Sequence, residues 1–241
     1  MGIFDLFARK GPGAVRKHSA RAANRRAQNP DRWESIQWLA EQGTEETVTA
    51  LLQRFTIRVT PSIIDQEEKD AAFQGIVAAG DVAVAPIKHF IKSADSISWP
   101  LKALEQLLPA DEVVGVLLEL LADLDTEYER DPEKKIQVVA YVEDRQDPRI
   151  LEAVLRFLDD MDETVRFHAV GATLAQDNCG EGREALMTAL LREESVRVRA
   201  RILDGFNHEE WPIGDEHREE VRKALPDRYA LDPAGLVRKK D

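Results

Sequence analysis

The chain has 241 residues, 43% hydrophobic and 32% charged, with a formal net charge of −12. That balance fits a folded protein rather than a disordered one, and no run approaches the roughly 20 apolar residues of a membrane-spanning helix. A single cysteine, Cys179, excludes an internal disulfide and a cysteine-based metal cluster, so a reducing cytoplasm is the expected location.

Charge is unevenly spread. Residues 1–28 carry Arg9, Lys10, Arg16, Lys17, Arg21, Arg25 and Arg26 against Asp5 alone, a net +6, so the remaining residues carry −18. Ile3, Phe4, Leu6 and Phe7 open the chain at near-helical spacing before Gly11-Pro12-Gly13 breaks the pattern. A basic, partly disordered tail is expected over 1–28. Ile3, Phe4, Leu6, Phe7, Arg9 and Lys10 are its candidate tether to an anionic membrane surface or a partner.

From Asn29 to Leu225 the pattern is helical throughout. Asn29-Pro30-Asp31 opens a helix with Trp33, Ile36, Leu39 and Ala40 on one stripe, stopped by Gly43; Thr44 caps the next. Further helices are expected over 67–79, 82–91, 99–108, 111–124, from Asp131-Pro132, from Asp147-Pro148, and over about 215–225. Residues 226–241 are read as a C-terminal extension. Small residues recur at Ser35, Ala72, Ala103, Ala140, Ala169 and Ala200, where close helix crossings are expected. The two long intervals in that series hold the irregular segments Thr56–Asp65 and Ala122–Pro132.

Residues 147–206 repeat most clearly. Ile150, Leu151, Val154, Leu155 and Leu158 form one amphipathic helix, an acidic turn follows, and Val165, Ala169, Ala172 and Leu174 form a second. The pattern returns at Ala185, Leu186, Ala189 and Leu190, then Glu193-Glu194, then Val196, Ala200 and Leu203, with Val165-Arg166 and Val196-Arg197 31 residues apart. These two copies resemble HEAT repeats, of the type also found in phycobilin lyases. The resemblance implies an all-α superhelix of about six hairpins, first helices on its convex face and second helices on its concave face. It also implies binding of other macromolecules along the concave face. Placed by register against the small-residue series, the candidate partner-binding residues are Gln74, Lys102, His168, Arg199 and Phe206, with Phe206 read either as an exposed aromatic anchor or as core packing against Ile202. Val165 and Val196 are read as core. Arg166 and Arg197 after them are read as rungs of a salt-bridge ladder to the acidic turns.

No residue set points to catalysis, a cofactor or a metal. His208-Glu209 resembles one of the His-Glu pairs of deoxyhypusine hydroxylase, but that signature needs several pairs at helix starts. Alkyl-purine DNA glycosylases also use HEAT-like repeats, yet the −18 body argues against a phosphate-binding groove. The acidic stretches lack the glycine and alternating ligands of a calcium loop. The expected function is therefore a non-catalytic scaffold or adaptor for another protein. Its alternatives are a membrane-tethered regulator acting through residues 1–28 and a HEAT-like nucleic-acid enzyme.

Overall fold

The computed structural model describes residues 12–176 and 180–240. The proposed tether residues Ile3, Phe4, Leu6, Phe7, Arg9 and Lys10, and Cys179, lie outside them. Among the described residues the chain is all-α apart from one small hairpin. The helices are α1 (Pro12–Ala22), α2 (Asn29–Gln42), α3 (Glu45–Leu52), α4 (Ser62–Ala78), α5 (Val84–Ser93), α6 (Ser98–Leu107) and α7 (Ala110–Asp123). They continue as α8 (Glu133–Glu143), α9 (Pro148–Val154), α10 (Glu163–Leu174), α11 (Gly180–Arg192), α12 (Val196–His208) and α13 (Arg218–Ala224). Strands β1 (Tyr229–Leu231) and β2 (Val237–Lys239) pair antiparallel. The chain forms two compact units, residues 1–116 and 117–241, divided within α7.

Local chemistry sets the helix ends. Thr44 caps α3 in a reciprocal capping box with Thr47, and Gly43 ends α2 in the left-handed region at φ 59°. Asp162 accepts from the Thr164 and Val165 amides at 2.8 and 3.0 Å to start α10; Ser195 accepts from the Val198 amide at 3.3 Å to start α12.

In the first unit α1, α3 and α5 pack in one layer and α2, α4 and α6 in another. The basic segment is therefore not simply a tail. Its residues 12–22 form α1, which buries Val15 and Ala22, stacks His18 on Trp38 at 4.3 Å, and bonds His18 Nδ1 to Ser35 Oγ at 3.2 Å. Helix pairing thus begins at α1 rather than at Asn29. Ser35, Ala72 and Ala103 are all buried on α2, α4 and α6, as the small-residue series requires. One glycine shows how close that packing is: a Cβ at Gly75 would lie 2.5 Å from the Ala40 Cβ.

The inward stripe of α2 holds Ile36 and Leu39 as expected but takes Arg32 in place of Trp33, which is 41% exposed. Arg32 turns inward to meet Glu68, donating from Nε to both carboxylate oxygens at 3.1 and 3.0 Å. Arg54 donates to Glu68 at 2.9 Å, to Asp65 at 2.8 Å and to the Ile57 carbonyl at 3.1 Å. Asn29 donates to Glu68 at 2.8 Å. Arg54 and Glu68 are both fully buried. Burial alone would raise the Glu68 carboxyl, but the hydrogen bonds from Arg32 and Asn29 and the two guanidinium charges hold it below its ordinary range. The irregular Thr56–Asp65 segment is organised by this node: Asp65 also accepts from the Val59 amide at 3.0 Å.

In the second unit α8, α10 and α12 pack in succession, and α11 packs on the 3₁₀ turn Leu155–Asp159 and on α13. The C-terminal extension contains the β-hairpin, which packs against α12 and α13. Gly235, at φ 88°, lies in its turn. Three-residue strands are too short to show an alternating pattern in sequence. Tyr229 anchors the hairpin: it is buried, with its hydroxyl 3.1 Å from the Ala200 carbonyl and 2.5 Å from Asp204 Oδ1. Burial and the Asp204 carboxylate push this phenol up to about 12.

Candidate protein-binding surface

The turns leading into α10 and α12 share one construction. Asp160 accepts from the Asp162 amide at 2.8 Å, and Glu193 accepts from the Ser195 amide at 2.8 Å. Arg166 reaches back to the Asp160 carbonyl at 2.8 Å, and Arg199 reaches back to the Glu193 carbonyl at 2.6 Å. The matching pairs are Asp160 with Glu193, Asp162 with Ser195, Val165 with Val198, and Arg166 with Arg199, each 33 residues apart. The structural repeat is therefore two residues longer than the spacing of the Val-Arg pairs. Val196 is accordingly 65% exposed, and Val198 is the core residue at 1%.

A ladder of cations crosses these turns. Lys135, on α8, is buried and places its ammonium 3.1 Å from Asp160, 3.3 Å from Glu129 and 3.0 Å from the Glu127 carbonyl. Arg166 holds Glu193 bidentately at 2.8 and 2.9 Å. Arg199 completes the series with a 3.5 Å contact to the Ala224 carbonyl. Burial would lower the Lys135 ammonium, but the hydrogen bond to and charge of Asp160 outweigh it and raise it. Burial would likewise raise Glu193, but the Arg166 hydrogen bonds hold it low. The acidic Ala122–Pro132 segment wraps an internal cation. Arg166 is a rung of the expected kind, but to the acidic turn ahead of it rather than to its own. Arg197 instead lies over the Phe167 ring, 3.8 Å from its centre.

Outside this ladder, side chains of α8, α10 and α12 form a half-exposed cluster around Phe167 and Glu143. Arg201 lies 4.0 Å from the Phe167 ring centre, donates to the Phe167 carbonyl at 3.0 Å and pairs with Glu143. His168 Nδ1 meets the other Glu143 oxygen at 2.7 Å. Against its own burial, hydrogen bonds from His168 and Arg201 hold the Glu143 carboxyl below its ordinary range. Gly171 leaves room for this pairing: a Cβ there would lie 2.2 Å from the Arg201 guanidinium and 2.6 Å from the Glu143 carboxyl carbon.

Of the five residues selected by sequence register, His168 alone belongs to this cluster. Gln74 and Lys102 are exposed on α4 and α6 of the first unit, with the Lys102 ammonium 5.5 Å from the Trp99 ring centre. Arg199 is drawn into the turn carbonyls rather than presented outward. Phe206 is fully buried and meets Trp211 edge-on at 5.4 Å, so it is a core residue and not an exposed anchor. The 33-residue offset carries the signal that register alone missed: it sets His168 and Arg201 as equivalents, both on Glu143. His208 and Glu209 pair with each other at 2.7 Å on an exposed helix end. Among the described residues no group of three or more His, Cys, Asp or Glu side chains is placed to hold a metal ion. No single helix among them is long and apolar enough to cross a membrane.

Comparison with protein-family models, curated proteins and solved structures finds no match to this chain.

Proposed function

We propose that this chain is a HEAT-like α-solenoid that works as a non-catalytic adaptor, binding another protein along the exposed side of α8, α10 and α12. The observation that carries this reading is the Phe167 ring with two guanidiniums over it, on helices whose entry turns repeat every 33 residues. Aromatic and arginine side chains are the types that most often dominate binding energy at protein interfaces. Two-helix repeats stacked in register give such residues an extended surface. Glu143 holds Arg201 and His168 in place, so part of the surface is ordered before a partner arrives, which lowers the entropy cost of binding.

Crosslinked affinity purification from the native host, read by mass spectrometry, tests this. Bait carrying Phe167→Ser and Arg197→Ser is compared with the unaltered chain. A stoichiometric protein recovered with the unaltered chain and lost with the double variant supports the reading. Equal recovery by both baits overturns it.

A further inference from the structure

The large apolar side chains most exposed in the second unit share one kind of location. Tyr128 is 75% exposed, Met161 62% and Val196 65%. Each lies in or at the end of a turn that leads into α8, α10 or α12. Hydrogen bonds join those turns side by side: the Met161 amide donates to the Thr126 carbonyl at 3.1 Å, and Ser195 Oγ donates to Glu163 at 2.8 Å. The three side chains therefore stand on adjoining turns, a ridge of exposed apolar groups. Acids outnumber cations around it: Asp125, Glu127, Asp159, Glu163 and Glu194 are exposed, against Arg130 and Arg197. Of the ladder cations, Lys135 lies 3.8 Å from Asp125 and offsets that one acid, while Arg166 and Arg199 are spent on buried Glu193 and on turn carbonyls and leave the rest unpaired by the ladder.

We infer that this turn ridge is a docking surface for a basic amphipathic segment of another protein, one whose apolar side chains alternate with Lys and Arg. The surface is distinct from the Phe167 cluster and rests on no part of the solenoid reading. Charge complementarity selects the basic character, since the acidic margin steers cations and penalises anions. The ridge selects the apolar character, since exposed apolar side chains grouped in this way gain by being covered. A second copy of the chain fits less well. Its runs of exposed cations, Arg16, Lys17, Arg25 and Arg26 on and after α1 and Arg238, Lys239 and Lys240 at the hairpin, flank apolar residues that are already buried, namely Val15, Ala22 and Val237.

The test uses the full chain and two fluorescent peptides of equal length, one of Leu and Lys at helical spacing and one of Lys alone, in about 0.15 M salt. Binding is followed by anisotropy for the unaltered chain and a Tyr128→Ser, Met161→Ser, Val196→Ser variant. A Trp33→Ser, Ile63→Ser, Val82→Ser variant removes exposed apolar groups of the first unit as a control, and thermal melts verify folding. The inference expects the Leu-Lys peptide to bind at least about tenfold more tightly than the Lys peptide. It expects the ridge variant to lose about tenfold in affinity and the control variant to lose none. Equal binding of both peptides, or unchanged affinity of the ridge variant, overturns it. Self-association that the ridge variant abolishes, seen by sedimentation without peptide, also overturns it and assigns the ridge to a second copy.

Discussion

In the first unit two arginines, Arg32 and Arg54, converge on the single carboxylate of Glu68. In the second, Lys135 and Arg166 hold separate acids, Asp160 and Glu193, and Arg199 closes the series on backbone carbonyls. Both arrangements anchor an irregular piece of chain: Arg54 holds the segment before α4, and Lys135 the segment before α8. They differ in how much depends on one residue. At the node, loss of Glu68 takes the carboxylate from Arg32 and leaves Arg54 with Asp65 alone, in a dry interior where an uncompensated charge is costly. Along the ladder, loss of Arg166 orphans one acid, Glu193, which keeps its bond from the Ser195 amide, and leaves Lys135 and Asp160 paired.

The sharpest way to break this comparison is Glu68→Ala. It should cost about 3–5 kcal/mol, the scale of breaking a buried ion pair. Urea unfolding measures the loss, and hydrogen exchange should place it in α2, α3 and α4. A loss under about 1 kcal/mol would mean that the node is no more critical than a surface pair.

Acid provides a second, smaller probe. Because the Glu68 carboxyl is held low in the folded state, the unfolded chain takes up its proton first as pH falls. Its contribution is fully present above about pH 5 and is lost as pH drops through the ordinary glutamate range near 4.3 toward the depressed folded value. Glu193 is depressed for the same kind of reason, by Arg166, so its contribution has the same sign. Glu68→Gln should flatten the acid limb of stability against pH more than Glu193→Gln does. The reverse order, measured by denaturant titration between pH 3 and pH 7 (roughly the carboxylate range), would put the acid-sensitive centre in the second unit.

Arg166→Ala should have the smallest effect, about 1–2 kcal/mol, the scale of lost charge-assisted hydrogen bonds. Faster hydrogen exchange should be confined to the ends of α10 and α12 nearest the 159–163 and 193–195 turns. Exchange that spreads to α8 would mean that the ladder is cooperative, and the contrast between the units would disappear.

Much of this was legible in the chain itself. The caps Thr44, Asp147, Asp162 and Ser195 act on amides two or three residues away, so sequence alone places those helix starts. The small residues Ala72, Ala103 and Ala169 are buried as the series expects, since a missing side-chain volume is a local property, while Ala140 is only half-buried. Burial of Arg32 in place of Trp33 was not legible, because its partner Glu68 is 36 residues away. Nor was α1, whose cations obscured an inner face that only α2 and α3 supply.

The turn into α12 shows the same division most clearly. Residues 195–200 read Ser-Val-Arg-Val-Arg-Ala and contain two equivalent Val-Arg pairs. Sequence determined that a capped amphipathic helix begins there, because capping and periodicity are settled within one or two turns of chain. Tertiary structure decided which pair turns inward. Glu193 is held by Arg166 from α10 and fixes the Ser195 amide. The helix then starts at Val196, Val198 faces the core, and Arg197 is left over the ring of Phe167.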